Sequence, residues 1–79
     1  MRNSSEKIPN FGGRLKGARI AAGFTQQTVA DTLGLTLRTY QRYESGTSEP
    51  TLFHLVSLSI FLSVSADYLL GLTGEAPAD

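Results

Sequence analysis

Four polar side chains recur at helical spacing near the middle of the chain. They are Arg38, Gln41, Arg42 and Ser45. At about 100° per residue they fall on one side of a helix, while Tyr40 and Tyr43 fall together on the other. Guanidinium groups pair bidentately with guanine O6 and N7, and a glutamine amide pairs with adenine N6 and N7. The first side therefore suits the edges of base pairs in a major groove, and the second suits a protein core.

A solvated surface helix would show the same polar side, so the neighbouring segments must decide between the two interpretations. Glycines at positions 23, 34, 46 and 71 each follow a helix-like segment, where a residue at positive φ is favoured. The pattern predicts helices at about 11–22, 26–33, 37–45, 51–62 and 66–71. The predicted N-caps are Asn10, Thr25, Thr36 and Ser65. Only three residues separate the second helix from the third, which is the spacing of a helix-turn-helix.

The charge distribution favours an anionic partner although the formal net charge is zero. Residues 1–42 contain all seven Lys and Arg and two acids, a formal charge of +5, whereas residues 43–79 contain five acids and no Lys or Arg. Chance can produce such an asymmetry in a short chain, but it also allows one basic face to meet nucleic acid. Together with the three-residue turn, it favours DNA binding by segment 37–45.

Composition limits the other classes of protein. Seventy-nine residues form one domain, which we expect to be all-α over residues 10–72, between a flexible arm (1–9) and a flexible tail (73–79). The sequence has no cysteine and one histidine, His54, and its acids are scattered. We therefore expect no metal, no cofactor and no enzymatic activity. We also expect no signal peptide or membrane span, and a cytoplasmic location.

Several short runs of residues in the first three predicted helices form a recognisable sequence pattern. They are Arg14-Leu15-Lys16-Gly17-Ala18-Arg19, Gly23-Phe24-Thr25-Gln26, Leu33-Gly34 and Arg42-Tyr43-Glu44-Ser45-Gly46. This chain resembles the Cro/repressor-type helix-turn-helix family, also called the XRE family, over about residues 11–71. The resemblance implies a five-helix, lambda-repressor-like domain. It also implies binding to a near-palindromic operator on double-stranded DNA, usually as a homodimer.

The resemblance also implies roles for individual residues. The base-reading and groove-lining positions are Leu37, Arg38, Gln41 and Arg42. The phosphate-binding positions are Gln26, Gln27, Ser45, Gly46 and Thr47, with a further contribution expected from Arg14. The side chain of Gln26 would also brace the recognition helix, and the loop at 45–47 would use its amides as well as its side chains. Phosphate contacts fix the register on the duplex, and base contacts specify the sequence.

Three residues depart from the family pattern. Leu37 occupies a position that is usually polar, and we expect it to pack rather than to contact a thymine methyl. Glu49 lies in a loop that often carries a Lys or Arg, and it would repel phosphate if it faced DNA. Thr28 replaces the acid of a capping box, which leaves the start of the second helix less firmly held.

Helical spacing supports two further predictions, an ion pair and an interface between two copies of the chain. Arg19 and Glu44 both lean toward the packed sides of their helices, and the resemblance also points to an ion pair between them. Phe53, Val56 and Ile60 form a second apolar stripe on the fourth helix, which we expect to be a dimer interface. In the alternatives, the two charges are exposed and the stripe packs under the arm or the last helix.

The functional expectation is a sequence-specific DNA-binding transcriptional regulator, in particular a repressor. A helix-turn-helix fold also occurs in protein-interaction modules, such as an antitoxin that neutralises a partner, and the fold by itself does not exclude this alternative. The chain would equally suit the N-terminal part of a larger regulator.

Overall fold

The structure, a computed structural model, describes residues 7–73. Five helices follow in order: α1 (Phe11–Ala22), α2 (Gln26–Leu33), α3 (Leu37–Ser45), α4 (Leu52–Leu62) and α5 (Ala66–Leu70). No strand occurs in this range, and the predicted all-α class is confirmed. The expectations for residues 1–6 and 74–79 concern parts of the chain outside the described range.

The helix starts follow from side-chain capping. Thr25, Thr36 and Ser65 each accept a hydrogen bond from the amide three residues ahead, as predicted. Helix α4 begins one residue later than predicted because Thr51 is its N-cap and accepts from the amide of His54. Asn10 occupies the N-cap position of α1 as predicted, but its backbone is left-handed (φ 56°) and its side chain makes no capping hydrogen bond.

The turn between α2 and α3 depends on Gly34. Its φ is 72°, a left-handed conformation that glycine adopts without steric cost. The amides of Gly34 and Leu35 donate back to the carbonyl oxygens of Asp31 and Ala30. The chain thereby leaves α2 and reaches the N-cap of α3 within three residues, so the two helices have the short connection of a helix-turn-helix.

The core lies where α1, α2 and α3 meet α4 and α5. The largest fully buried side chains are Leu15, Val29, Tyr40, Leu58 and Leu69. Each of the five helices contributes one of them, so no pair of helices could bury its apolar face without the others. None of the helices in the described range is long and apolar enough to cross a membrane.

Helix α1 approaches the end of α3 at a glycine. A Cβ atom built at Gly12 would overlap the carbonyl oxygen of Glu44. Glycine at this position therefore permits the close contact between α1 and α3. The packing of the two helices compensates for the low helix propensity of glycine.

Candidate nucleic-acid interface

Helix α3 is two-sided, as its spacing predicts. Tyr40 and Tyr43 are buried, whereas Arg38, Gln41 and Arg42 are exposed. Within residues 7–73, no hydrogen bond or ion pair engages the guanidinium of Arg38 or Arg42. Two cations and an amide therefore stand together on a surface that no other part of the described chain covers.

Leu37, at the start of this face, is half-buried. Its position lies one turn before Gln41 on the same side of α3, and it is not part of the main apolar core. The residue thus combines partial packing with an exposed edge, which is compatible with a place at the margin of a groove.

Gln26 joins α2 to this face. Its Nε2 donates to Glu44 Oε1 at 3.0 Å, and its Oε1 accepts from Gln41 Nε2 at 3.2 Å. The amide nitrogen carries two hydrogens, and the contact with Glu44 uses one of them. Gln26 is therefore placed to brace α3, as expected, and retains a donor that could reach a phosphate.

The predicted ion pair between Arg19 and Glu44 is present beneath this face. Arg19 Nε donates to Glu44 Oε2 at 2.6 Å and Arg19 Nη2 donates to Glu44 Oε1 at 3.2 Å. The two side chains are 11% and 5% exposed, respectively, which excludes the alternative of two solvated charges. Arg19 Nη1 also donates to the carbonyl oxygen of Phe24, so the guanidinium is held at three points.

The carboxylate of Glu44 accepts four hydrogen bonds. Besides the two from Arg19 it accepts one from Gln26 and one from the hydroxyl of Tyr40, at 2.5 Å. Burial by itself would raise the pKa of Glu44, but the donors of Arg19, Tyr40 and Gln26 outweigh it and hold that pKa below its ordinary value. Burial, followed by the hydrogen bond to Glu44, raises the pKa of Tyr40 well above its ordinary value. The pair is therefore ionised and Tyr40 is neutral near neutral pH.

The amides of the loop after α3 are hydrogen-bonded within the domain. The amides of Gly46, Thr47 and Ser48 all donate to the carbonyl oxygen of Arg42. These amides close the end of α3 and have a partner within the domain, so a phosphate contact from them stays a prediction. The hydroxyls of Ser45 and Thr47 are exposed and lie 2.8 Å apart, so these side chains are phosphate-binding candidates as well.

Arg14 lies elsewhere in the domain. Its Nε donates to the carbonyl oxygen of Leu69 at 3.0 Å and its Nη2 donates to that of Pro9 at 2.7 Å. The first of these carbonyls belongs to the last turn of α5, where helices leave acceptors without a partner. Arg14 therefore has a structural role at the junction of α1 and α5, and its phosphate contact stays a prediction. No sequence signal distinguishes Arg14 from the exposed arginines, because the distinction depends on where α5 returns.

Two other polar residues are oriented by local contacts. Gln27 is exposed, and its Nε2 donates to Asp31 Oδ1 at 2.8 Å along α2. Glu49 accepts from the amide of Ile8 at 2.5 Å, so its carboxylate faces the segment before α1. Ile8 is half-buried against the core, and residues 7–9 therefore contact the domain although the sequence predicts an arm over 1–9.

The apolar stripe on α4 is exposed. Phe53 and Ile60 are each 74% exposed and Val56 is 54% exposed. Leu58 and Leu62, on the other side of the helix, are buried. Neither the last helix nor residues 7–9 cover Phe53 and Ile60, so the alternative in which the last helix covers them is wrong, while residues 1–6 of the expected arm lie outside the described range. No group of three or more His, Cys, Asp or Glu side chains that could hold a metal occurs in the same range.

The short α2–α3 connection and the polar exposed face of α3 define a helix-turn-helix domain. Residues 15–69 match the helix-turn-helix family, and the chain belongs to that family. Its relatives are transcriptional regulators and not enzymes, as the sequence predicts.

Three comparisons illustrate the relationship. The SPbeta prophage-derived HTH-type transcriptional regulator YonR of Bacillus subtilis is 50% identical over 60 residues, 76% of this chain and 56% of YonR. The CTXphi transcriptional repressor RstR of Vibrio cholerae is 41% identical, over 73% of this chain and 52% of RstR. A transcriptional regulator of Listeria innocua has a similar crystal structure, with a TM-score of 0.72 at 28% identity, covering 87% of this chain and 64% of that one. The chain spans about half the length of the curated relatives it matches.

Proposed function

We propose that this chain is a sequence-specific DNA-binding transcriptional regulator that inserts α3 into the major groove. The observation that carries the proposal is the joint exposure of Arg38, Gln41 and Arg42 on one face of α3, with the opposite face fixed in the core. Bidentate donors on a short, rigidly held helix are the groups that read base edges. Gln26, Ser45 and Thr47 flank this face and supply phosphate contacts that fix the register.

Repression is the regulatory mode we assign to it. One relative, RstR, is named a transcriptional repressor. A domain that occupies the major groove can block access to a promoter without any further activity. A cytoplasmic location belongs to the same proposal, because the duplex must be accessible.

The operator is near-palindromic in this proposal, and the protein binds it as a homodimer through Phe53, Val56 and Ile60. A two-fold axis places the same patch against itself, so the patch must be self-compatible. Helix α4 contains no Asp, Glu, Lys or Arg, and its exposed stripe therefore pairs with a second copy without like-charge repulsion. A dimer would set two α3 helices about 34–36 Å apart, one turn of duplex.

Selection of bound sequences from a random duplex pool tests the function directly. We expect enrichment of one half-site repeated with two-fold symmetry, and an affinity that falls steeply as salt rises. Arg42→Ala should weaken binding to the selected site. Lys16→Ala, which removes the same charge from an exposed position on α1, is the matched control and should weaken binding less. Absence of salt-dependent duplex binding would favour a protein-interaction module instead.

A further inference from the structure

A chain of hydrogen bonds runs from the buried ion pair to the exposed face of α3. Glu44 Oε1 accepts from Gln26 Nε2, and Gln26 Oε1 accepts from Gln41 Nε2. Gln26 is half-buried and Gln41 is exposed. This series of hydrogen bonds therefore starts at Glu44, whose side chain is 5% exposed, and ends at Gln41 on the proposed DNA-binding surface.

The direction of these hydrogen bonds is imposed at the buried end. An ionised carboxylate only accepts, so Gln26 must turn its nitrogen toward Glu44 and its oxygen toward Gln41. Gln41 must then turn its own nitrogen toward Gln26, because two amide oxygens in contact would repel each other. The oxygen of Gln41 is left on the side away from Gln26. Each amide is thereby fixed in one of its two flipped orientations.

We propose that this relay, the hydrogen bonds from Glu44 through Gln26 to Gln41, makes Gln41 a specificity-determining residue. Gln41 selects a base with an exocyclic amino group, adenine or cytosine, over guanine and thymine. The inference rests on the proposed function. Adenine N6 and cytosine N4 are donors in the major groove and can meet the oxygen of Gln41, and adenine N7 can also accept its second N–H. Guanine O6 and thymine O4 are acceptors at the place of the exocyclic amino group, where they would face the oxygen of Gln41. These two bases therefore keep at most the contact with the second N–H of Gln41.

Gln26 acts as a positioning residue in this scheme. A glutamine amide without a hydrogen bond to a neighbouring residue can rotate and present its NH₂ group to guanine. Such a glutamine discriminates poorly between bases that present a donor and bases that present an acceptor. The same rotation in this protein would break the hydrogen bond to Gln26 and bring two acceptors together. Selectivity at this base pair is therefore predicted to depend on residue 26, although Gln41 makes the contact.

Base-preference profiles of the wild type and three variants test the relay. Gln41→Ala identifies the base pair that Gln41 reads, as the position at which preference is lost. At that position the wild type should favour adenine or cytosine over guanine and thymine by about tenfold, the ratio that corresponds to about 1.4 kcal/mol. Gln26→Met keeps the length of the side chain and removes both hydrogen bonds. It should reduce the discrimination against guanine to about two- to threefold, which is less than 1 kcal/mol.

Gln27→Met is the matched control. Gln27 is the neighbouring glutamine, is exposed, and its side chain hydrogen-bonds only to Asp31 among the described residues. As an expected phosphate contact, its loss should lower the affinity for all duplexes alike and leave the preference at this position unchanged. The helical circular dichroism and melting temperature of each variant establish that it is folded. A preference at this position that is the same in Gln26→Met and in the wild type would overturn the relay, and so would a wild-type preference for guanine or thymine.

A second measurement uses the wild type alone and does not depend on any variant folding. Removing the exocyclic amino group from the selected base (adenine to purine, or cytosine to 2-pyrimidinone) should lower affinity by about tenfold, within the range of one good base contact. A change of less than about twofold would overturn the relay. If the pool yields no enriched duplex, the proposed function fails and the relay fails with it. Enriched duplexes whose preference is independent of residue 26 refute the relay alone.

Discussion

Arg19 on α1 and Glu44 on α3 meet with Nε and Oε2 2.6 Å apart, and both side chains are almost completely buried. The pair lies where α1 contacts α3, directly behind the exposed face that carries Gln41. Every acceptor site of the carboxylate is used, by Arg19, Tyr40 and Gln26. The same carboxylate therefore joins the packing of the domain to the orientation of its proposed DNA-binding side chains.

Glu44→Ala should destabilise the domain by roughly 3–5 kcal/mol, because it leaves the guanidinium of Arg19 buried without its partner. Loss of that much stability could unfold so small a domain. Arg38 is an exposed residue on the same helix, and Arg38→Ala is the control. It should change the free energy of unfolding by less than about 0.5 kcal/mol. Thermal or urea unfolding followed by circular dichroism measures both. An unchanged melting temperature in Glu44→Ala would show that the pair contributes nothing.

Acid should destabilise the protein partly through Glu44. Its pKa is held below the ordinary value of 4.5 in the folded state, so the folded state binds this proton less readily than the unfolded state does. The stabilisation is therefore complete above about pH 5 and is lost as the pH falls below 4.5 and through the folded-state pKa. Urea titrations between pH 7 and pH 3 should show a steeper loss of stability in the wild type than in Glu44→Gln. Parallel curves for the two proteins would rule out this contribution.

Two glycines of α1 should respond to alanine in opposite directions. Gly12→Ala places a methyl group against the carbonyl of Glu44, and we expect a loss of about 1–3 kcal/mol from overpacking. Gly17 lies on the exposed side of the same helix with no atom within 4 Å of the added Cβ. Gly17→Ala should therefore stabilise the domain by about 0.5–1 kcal/mol. Equal effects of the two substitutions on the free energy of unfolding would contradict the close contact.

Arg42 and Thr47 should differ in how they affect DNA binding. Arg42→Ala should cost on the order of 1–3 kcal/mol on the selected site and relax the preference at one base pair. Thr47→Ala removes a proposed phosphate contact, so it should weaken binding to all duplexes about equally and by less than Arg42→Ala does. Fluorescence anisotropy with the selected site and a scrambled duplex separates the two effects. If Arg42→Ala lowers affinity for both duplexes alike, Arg42 does not read bases directly.

The α4 stripe should govern self-association. Phe53→Glu with Ile60→Lys introduces charge at two positions that are each 74% exposed, so the fold should survive while the dimer dissociates. Ala21→Glu with Ala22→Lys, at exposed positions of α1, adds the same charges away from the stripe and should leave association unchanged. Sedimentation equilibrium with and without a palindromic site measures this. A wild type that stays monomeric at high micromolar concentration and binds DNA without cooperativity would end the dimer proposal.

Much of this protein is determined by local sequence. The threonine and serine caps and the glycines at 23, 34, 46 and 71 set the helix boundaries to within one residue, because each acts through hydrogen bonds or backbone conformation a few residues away. The two-sided α3 and the inward lean of Arg19 and Glu44 also follow from helical spacing, since a period of 3.6 residues fixes which side chains share a face.

The tertiary structure decided the roles that depend on distant neighbours. Arg14 and Arg42 are both arginines at helix positions that the sequence alone suggests are exposed. Helix α5 nevertheless lies beside Arg14, which donates a hydrogen bond to the carbonyl oxygen of Leu69. The amides after α3 turn inward to Arg42, and Glu49 turns toward Ile8. The link from Glu44 through Gln26 to Gln41 spans two helices, and periodicity within one helix cannot predict it. Periodicity gives the direction of a side chain, but a hydrogen bond needs the position of its partner, which only the packing of the helices supplies.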